Sequence, residues 1–351
     1  MTAIESLAND IDTVVDQVGD WSGLRGARLF VTGGTGFLGR WMLEVLARAE
    51  ARHALGVRAV VMSRDPARFA ATAPHLAANP MFDFIAGDVL APFEAEGAFS
   101  HVIHAATDAS ADLNLNNPRK MFDTVVDGTR RALDFAVEKR PERFLYFSSG
   151  AVYGAQPWEE THIGEDWRGA PDCTEAKNAY GEGKRAGEML CAIAGKQGRL
   201  DQGGLNVVTA RIYAVLGPLL SLDIHFASGN FIRDVLAGRT IRIIGSGTAV
   251  RSLLYVGDLT AWLFRSLLHA PRGAVYNMGS EESVTIVQMA QRIAAVLGGS
   301  DVEILGQPDP GWNPGRYVPS TKRIRNELGV EATVGLDECI RRTAAWNGWR
   351  G

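Results

Sequence analysis

The sequence is poor in features that mark several large classes of protein. Its 351 residues include only three cysteines, Cys173, Cys191 and Cys339, which are odd in number and too far apart for disulfide pairing or metal-ligand spacing. The seven histidines are spread along the chain and the cysteines form no Cys-x-x-Cys pattern, so we expect no metal site. This cysteine usage is typical of a reducing compartment, and we expect a cytoplasmic protein.

Long apolar runs and an excess of either charge are also missing. No uninterrupted apolar run reaches the roughly 18–20 residues that span a bilayer. The N-terminal segment, with Glu5, Asp10, Asp12 and Asp16, has no basic stretch followed by an apolar one. The formal net charge of -4 gives no electrostatic reason to expect nucleic acid. We therefore expect neither a membrane nor nucleic acid as a partner.

The composition, 46% hydrophobic and 22% charged, is that of an ordinary globular chain, and the length suits one large α/β domain or two smaller ones. Residues 1–25 are predicted to be a helical extension, because apolar residues recur at helical spacing. These residues are Ile4, Leu7, Ile11, Val14, Val15 and Val18. We expect the helix to pack on the main body; a dimer contact is the alternative.

From Ala27 onward, short β-rich runs alternate with helical segments. The predicted strands are 28–32, 58–62, 82–85, 101–104 and 144–148, and the helices between them include 37–49 and 121–138. Continuous apolar strands that alternate with helices indicate a parallel sheet covered on both faces, hence a doubly wound, Rossmann-type α/β fold. We predict this domain over 26–216, with a returning segment near 250–279, and a smaller mixed α/β C-terminal lobe at 217–249 and 280–351.

A glycine-rich turn joins the first predicted strand to the first helix. From Val31 it reads V-T-G-G-T-G-F-L-G, which satisfies both G-x-G-x-x-G and G-x-x-G-x-x-G. Glycines let the backbone turn tightly and approach a pyrophosphate, and the helix N-terminus adds free N–H groups and partial positive charge. The turn is therefore predicted to bind a dinucleotide through Gly33, Thr35, Gly36, Phe37, Leu38 and Gly39.

The end of the second strand bears on the choice of dinucleotide. NAD-specific sites usually place Asp or Glu there to bond the ribose 2′-hydroxyl, but this sequence has Ser63 and Arg64. A guanidinium can pair with a 2′-phosphate, so NADP is favoured. The NAD alternative has Arg64 stacked on the adenine and Asp65 on the ribose. Asp88 and Val89 follow the next strand, where Asp88 is either an acceptor for the adenine amino group or a solvent-facing loop residue.

Tyr180 and Lys184 are four residues apart and would lie on the same face of a helix. A tyrosine that acts as a base near neutrality needs its pKa lowered by about 3 units, which a nearby ammonium and a cationic nicotinamide can supply. Ser148 and Ser149 end a predicted strand, at the edge where open α/β sheets bind ligands. We predict that Ser149, Tyr180 and Lys184 are catalytic and that Lys184 also binds the cofactor, at its nicotinamide ribose.

With these motifs the chain resembles the extended short-chain dehydrogenase/reductase family, in its sugar-nucleotide epimerase, dehydratase and reductase branch. The resemblance runs from about residue 28 to about residue 329. Besides the glycine turn and the tyrosine–lysine pair, it includes the segments His104-Ala105-Ala106, Asp127-Gly128-Thr129 and Tyr255-Val256-Gly257-Asp258.

This resemblance implies an NAD(P)-dependent enzyme that acts on a nucleoside-diphosphate sugar and forms a homodimer. It implies Ser149, Tyr180 and Lys184 as the catalytic triad. It implies further cofactor contacts at His104, Ala105 and Ala106, and substrate contacts at Asn230, Arg251 and Arg316. Arginine suits a diphosphate because its planar fork can grip phosphate oxygens bidentately.

The sequence also departs from the family pattern. Sugar-nucleotide 4,6-dehydratases of this family carry Asp-Glu directly after the triad serine, whereas Gly150 and Ala151 cannot transfer protons, which disfavours that reaction. Val125 and Ala214 stand where the family often has asparagine, so a proton relay and one substrate contact lose their usual residues. The segment 158–172 either shapes the sugar pocket or is a surface excursion.

The reaction expected is hydride transfer at C4 of a nucleoside-diphosphate hexose. In a 4-ketosugar reductase, Tyr180 protonates the carbonyl oxygen, Ser149 orients it and Lys184 tunes the tyrosine. A 4-epimerase, which keeps NAD⁺ bound and reduces the other face of the oxidised sugar, uses the same residues and is the alternative. A non-catalytic dinucleotide-binding protein is disfavoured because all three triad residues are present.

Overall fold

The structure is a computed structural model and describes residues 3–107, 111–196, 204–223, 227–308, 313 and 315–351. The described strands are β1 (Arg28–Thr32), β2 (Arg58–Ser63), β3 (Phe82–Ala86), β4 (His101–His104), β5 (Arg143–Ser149), β6 (Val207–Ile212), β7 (Val215–Leu216), β8 (Ile241–Ile243), β9 (Val250–Ser252), β10 (Leu254–Tyr255), β11 (Val275–Met278), β12 (Ser283–Thr285), β13 (Val302–Ile304) and β14 (Arg316–Tyr317). The described α-helices are α1 (Ala3–Val18), α2 (Phe37–His53), α3 (Pro66–Thr72), α4 (Pro74–Ala77), α5 (Ala111–Asn116), α6 (Pro118–Lys139), α7 (Ala179–Lys196), α8 (Ala227–Leu236), α9 (Val256–His269), α10 (Ile286–Leu297), α11 (Lys322–Leu328) and α12 (Leu336–Trp346).

Seven of the described strands form one parallel sheet in the order β11-β6-β5-β4-β1-β2-β3. The chain runs from β1 outward to β3 and then returns to β4 on the other side of β1. Thr32 lies opposite both Met62 and His104, so the carboxyl ends of β2, β1 and β4 finish at one edge of the sheet. Open parallel sheets bind ligands at such a change of strand order. The predicted Rossmann-type sheet is confirmed.

Both faces of the sheet are buried, as its continuous apolar strands require. Leu29 and Val31 point into a core shared with α2 and α9, whereas Phe30 points into a second core shared with α6 and α7. Successive side chains of a strand point to opposite faces, so an unbroken apolar run needs helices on both sides. The helices between the strands supply this cover.

The N-terminal helix α1 lies against α2, α9 and α12. Its buried apolar side chains are Leu7, Ile11, Val14, Val15 and Val18, while the side chain of Ile4 is outside the described part. Buried Asp10 accepts hydrogen bonds from Tyr255 in β10 and Arg342 in α12. The helix is therefore held by a polar cluster as well as by apolar contacts.

Small sheets carry the C-terminal part of the chain. β9 pairs with β14 in parallel and with β12 antiparallel, and β8 pairs with β13. β10 pairs in parallel with β7. Further along the chain, β11 forms an edge strand of the main sheet beside β6. Among the described residues, no helix is long and apolar enough to cross a membrane.

Candidate active site

The glycine turn after β1 is shaped so that side chains are excluded from it. Gly33 has a φ of +74°, and a Cβ there would overlap the backbone of Ala105 and Ala106 at the end of β4. A Cβ at Gly39 would overlap the carbonyl oxygen of Gly33. Helix α2 starts immediately after Gly36, which has no side chain to cap it, so its first N–H groups are available to an anion. The turn therefore fits a dinucleotide pyrophosphate.

The predicted adenosine-side residues lie near this turn, at the ends of β2 and β3. Ser63 Oγ is 3.1 Å from Thr35 Oγ1, which ties β2 to the glycine turn. Arg64 is exposed, whereas the Asp65 carboxylate accepts the backbone N–H of Arg68 and caps α3. The capping bond uses one oxygen, Oδ1, of the carboxylate that the NAD alternative assigns to the ribose.

Asp88 and Val89 follow β3 and lie in a tight turn. The Asp88 carboxylate accepts the backbone N–H of Leu90 at 2.9 Å, so it shapes the turn itself. Val89 is buried, and its side chain packs against Gly128 of α6. Asp88 is half-buried rather than fully solvent-facing.

His104 is a buried brace within the sheet. Its Nδ1 lies 2.7 Å from Thr32 Oγ1 and its Nε2 lies 3.3 Å from Thr129 Oγ1. Burial, and then the charge of Lys184, lower the pKa of His104 to about 3, so the imidazole is neutral. Both ring nitrogens are engaged within the protein, and the adjacent Ala105 and Ala106 form the part of this motif that meets the glycine turn.

The three predicted catalytic side chains come together at the carboxyl edge of β5. Lys184 Nζ donates to the carbonyl oxygen of Phe147 at 2.6 Å and to Thr107 Oγ1 at 2.8 Å, and it lies 5.9 Å from the centre of the Tyr180 ring. The lysine is only 2% exposed, and this burial lowers its pKa to about 7. Ser149 forms a hydrogen bond with Tyr180 that acts to lower the pKa of the phenol.

The protein alone does not lower the pKa of Tyr180. Burial outweighs the Ser149 hydrogen bond and raises the pKa of Tyr180 above its ordinary value of 10. The nearby Lys184 is only partly protonated near neutral pH, because its own pKa is lowered to about 7. The protein alone therefore keeps Tyr180 protonated, and a cationic nicotinamide is the remaining group of those expected to lower its pKa.

Sequence reasoning did not identify three of the residues that contact this triad. Thr107 binds Lys184, and the side chain of Asn114 in α5 accepts the backbone N–H of Tyr180. Tyr317 in β14 brings its hydroxyl within 3.3 Å of Ser149 Oγ. The sequence could have identified Thr107 as a site residue, because it directly follows the motif at 104–106. Nothing in the sequence around Tyr317 indicates that it lies in this site.

The space beside Gly150 is filled by an aromatic ring. A Cβ at this position would overlap the ring of Tyr213, which packs against the tilted ring of Tyr317 with 4.4 Å between ring centres. Tyr213 is held by its backbone N–H, which donates to the carbonyl of Met278 in β11. The packing therefore excludes a carboxylate at position 150, because no side chain fits there while Tyr213 stays in place.

A polar network below the serines joins three strands of the main sheet. Glu188 accepts from Ser148 at 2.6 Å and forms a two-point ion pair with Arg211. Arg211 donates to the Tyr153 hydroxyl, which in turn donates to Asn277 Oδ1 at 2.8 Å. This network fixes the ends of β5, β6 and β11 relative to α7, which carries Tyr180 and Lys184.

Two of the three predicted substrate residues are neighbours in the small β-sheet of the C-terminal part. Arg251 in β9 lies beside β14, which carries Arg316 and Tyr317. Among the described residues neither guanidinium forms an ion pair, and buried Nε of Arg316 has no hydrogen-bond partner. The Arg316 guanidinium lies over the Trp158 ring at 4.7 Å. Asn230 lies apart from them on α8 and is half-buried.

The segment after the triad serine is built into the C-terminal part of the chain. Gln156 bridges to Arg316, and its side-chain oxygen accepts the backbone N–H of Val318 at 2.9 Å. Ile163 is buried and pairs with Pro319. Within the undecided segment 158–172, residues 158–161 are exposed, whereas Ile163 and Glu165 are buried.

The fold and the arrangement of these residues define a dinucleotide-binding α/β enzyme. Residues 29–279 match the family described as the NAD dependent epimerase/dehydratase family. The chain belongs to this family, which confirms the predicted resemblance and the expected enzymatic character.

Curated relatives cover most of the chain. UDP-glucuronic acid decarboxylase 1 of Danio rerio is 29% identical over 318 residues, which make up 90% of this chain and 71% of the relative. UDP-glucuronic acid decarboxylase 6 of Arabidopsis thaliana is 28% identical over 89% of this chain and 86% of its own.

Solved structures show the same fold at lower identity. The dTDP-glucose 4,6-dehydratase of Streptomyces venezuelae with bound NAD has a TM-score of 0.76 at 22% identity, covering 91% of this chain and 96% of its own. The UDP-glucuronic acid 4-epimerase of Bacillus cereus, in complex with UDP-glucuronic acid and NAD, has a TM-score of 0.75 at 20% identity, covering 91% and 98%.

Proposed function

We propose that the protein is an NAD(P)-dependent oxidoreductase of nucleoside-diphosphate sugars and that it reduces a 4-keto (6-deoxy)hexose. The observation that carries this proposal is the meeting of Ser149, Tyr180 and Lys184 at the carboxyl edge of the sheet, next to the glycine turn. A bound nicotinamide supplies or accepts the hydride. Tyr180 transfers the proton of the sugar oxygen, and Ser149 holds that oxygen by a hydrogen bond.

The protonation states of the site suit the reductive direction. Burial raises the pKa of Tyr180, so the phenol carries the proton that a ketone oxygen needs on reduction. Lys184 is held by Phe147 and Thr107, close to the tyrosine and within reach of a nicotinamide ribose. Gly150 and Ala151 carry no groups that transfer protons, so one proton moves with the hydride and no second acid/base pair is available to eliminate water.

Arg251 and Arg316 are proposed to bind the diphosphate of the substrate. They lie on adjacent strands without carboxylate partners among the described residues, and desolvation lowers the pKa of Arg251. Both side chains are half-buried; Arg251 donates only to backbone carbonyls, and the buried Nε of Arg316 has no partner among the described residues. An anion would complete both partly desolvated groups. Asn230 is proposed only as a contact to the nucleotide, because its place on α8 is separate from the two arginines. In this proposal the lobe at 217–249 and 280–351 binds substrate, and 26–216, with the returning segment near 250–279, binds the dinucleotide.

NADP is the proposed cofactor, with NAD as the alternative. Arg64 is exposed at the end of β2 and free to meet a 2′-phosphate, whereas Asp65 is engaged as the N-cap of α3. The cap holds the Asp65 side chain in one orientation over α3, so a ribose could be met only by its second oxygen. NAD is named with similar folds, including the UDP-glucuronic acid 4-epimerase of Bacillus cereus. An epimerase that retains NAD is therefore the second candidate.

The deciding experiment is a substrate panel with NADPH and NADH. Purified protein is incubated with UDP-, dTDP-, CDP- and GDP-sugars, including 4-keto-6-deoxy forms and the UDP-glucuronic acid named in its relatives. Stoichiometric consumption of NADPH supports the reductase. Isomer formed without net cofactor use refutes the reductase and supports the epimerase. Tyr180→Phe is the negative control, and Tyr276→Phe, which removes a hydroxyl bonded to Glu327 instead, is the matched control.

We also propose a homodimer, as the family resemblance implies. Helices α6 and α7 pack side by side. They expose Phe122, Met189 and Ile193, and Met189 is 62% exposed. Met189 and Ile193 are four residues apart and share one face of α7. The double change Met189→Glu and Ile193→Glu should convert a dimer to a monomer in light scattering, and an unchanged mass would refute this surface.

A cytoplasmic location is proposed from the thiols. Cys173 is exposed, while Cys191 and Cys339 are buried and unpaired. An exposed free thiol persists in a reducing compartment. Fractionation that found the protein in an oxidising compartment would refute this proposal.

A further inference from the structure

The hydroxyl of Ser149 lies at hydrogen-bonding distance from one tyrosine, and it acts on the pKa of a second tyrosine from another part of the chain. Tyr180 comes from α7, and the Ser149 hydrogen bond acts to lower its pKa. Tyr317 comes from β14, and its hydroxyl lies 3.3 Å from Ser149 Oγ. A serine hydroxyl has one proton to donate and two lone pairs with which to accept. When Ser149 donates to Tyr180, Tyr317 must therefore be the donor to Ser149.

The chemistry of Tyr317 suits this donor role. Burial raises the pKa of Tyr317, so its phenol keeps its proton across the working range of the protein. Ser149 Oγ also accepts the backbone N–H of Ala151 at 3.2 Å, which uses its second lone pair. With both lone pairs filled, the serine proton is left for Tyr180 or for a substrate oxygen.

We propose that Tyr317 is a positioning residue of this active site: its hydroxyl donates to Ser149, and the chain of hydroxyls Tyr317–Ser149–Tyr180 stabilises the ionised form of Tyr180. A hydroxyl that accepts a hydrogen bond becomes a stronger donor itself. The bond from Tyr317 to Ser149 therefore strengthens the bond from Ser149 to Tyr180. The proposal rests on the proposed function in one respect, the role of Tyr180 as the group that transfers the proton.

The position of Tyr317 is set by packing on both sides of its strand. Its ring packs at a tilt against Tyr213, with 4.4 Å between ring centres, and its backbone lies opposite Arg251 in β9. The side chain of Gln156 accepts the N–H of the next residue, Val318. The phenol therefore reaches Ser149 without having to order a loop.

Other titratable groups surround these hydroxyls and must be held constant in a test. Lys184 and Tyr146 face Tyr180 from α7 and β5. Arg251 and Tyr213 face Tyr317 from β9 and from the end of β6. Replacement of Tyr317 by phenylalanine leaves all four groups in place and keeps the packed ring, so it removes one hydroxyl only.

The test is a titration of Tyr180 by ultraviolet difference absorbance with a saturating oxidised dinucleotide, NADP⁺ or NAD⁺, whichever binds more tightly. The Tyr180 signal is the component that is missing in Tyr180→Phe. In Tyr317→Phe we expect its midpoint to rise by roughly half a pH unit, about a threefold loss in ionisation constant. Tyr213→Phe, which alters the packing partner, should leave the midpoint unchanged.

A double-mutant cycle makes the test specific. In the Ser149→Ala background the chain of hydroxyls is already broken, so Tyr317→Phe should cause no further change. An unchanged midpoint in Tyr317→Phe, or an equal rise in the Ser149→Ala background, overturns the proposal. The titration uses no sugar, so it does not depend on turnover. If the protein turned over no nucleotide sugar, the proposed function would be refuted, but the titration could still support the role of Tyr317.

Discussion

The charge on Lys184 should make the free protein less stable. This side chain is 2% exposed, and burial lowers its pKa from 10.5 to about 7. Between these values the unfolded chain binds more protons than the folded one, so the stability contributed at this site rises with pH. Replacing the lysine with methionine, which has a similar shape and no charge, removes that dependence.

The magnitude follows from the same pKa change. A tenfold change in a protonation equilibrium corresponds to about 1.4 kcal/mol, so the protonated lysine costs on the order of 5 kcal/mol below pH 7. Lys184→Met also loses the bonds to Phe147 and Thr107, each worth about 1 kcal/mol. We therefore expect Lys184→Met to be on the order of 3 kcal/mol more stable than the wild type near pH 6, and about 2 kcal/mol less stable near pH 10.

Urea unfolding at several pH values between these limits measures the effect. Lys196→Met is the matched control, because Lys196 is an exposed residue at the end of the same helix. The reasoning is refuted if Lys184→Met is the less stable protein near pH 6 and the difference stays constant as the pH rises. Activity should be lost in Lys184→Met at every pH.

Three further changes test other parts of the site. Gly39→Ala places a Cβ on a backbone oxygen in the glycine turn, so dinucleotide affinity, followed by fluorescence, should fall by roughly tenfold or more while the sheet stays folded; unchanged affinity would mean that the turn does not bind phosphate. Glu188→Gln leaves Arg211 without its ion pair and should lower the free energy of unfolding by about 2 kcal/mol in urea titrations. A change smaller than the error of the titration would contradict this prediction. Gly150→Asp should destabilise by about 1–3 kcal/mol through overlap with the Tyr213 ring and produce no dehydration of a nucleotide hexose; a stable, dehydrating variant would show that packing at position 150 is not the obstacle.

The glycine turn could be predicted from sequence because its determinants are local. A strand, closely spaced glycines and a helix follow one another within a dozen residues, and each constrains the next. The same holds for Tyr180 and Lys184, whose spacing alone puts them on one face of α7. Ser149 could be placed beside them because parallel strands end at a common edge.

The rest of the site depends on contacts between distant segments. Tyr317 sits on a two-residue strand after a Pro/Gly-rich stretch, and its closeness to Ser149 follows only from the pairing of β14 with β9. The overlap of Tyr213 with position 150 likewise follows from the way β5 runs beside β6. The raised pKa of Tyr180 in the protein alone also lies beyond sequence reasoning, because the cost of burying a phenolate depends on the depth of the site and not on residue spacing.

The raised pKa of Tyr180 explains how one set of residues can serve either direction of hydride transfer. When no positive charge lies beside it, the buried tyrosine keeps its proton and is ready to act as an acid. A positive ring next to it would favour the phenolate and leave the tyrosine ready to act as a base. The triad alone therefore holds the protonation state that reduction needs, and an epimerase would depend on bound NAD⁺ to reach the other state. The difference between a reductase and an epimerase must lie in whether the dinucleotide is exchanged, and for that Arg64 and the capped Asp65 are the residues that matter.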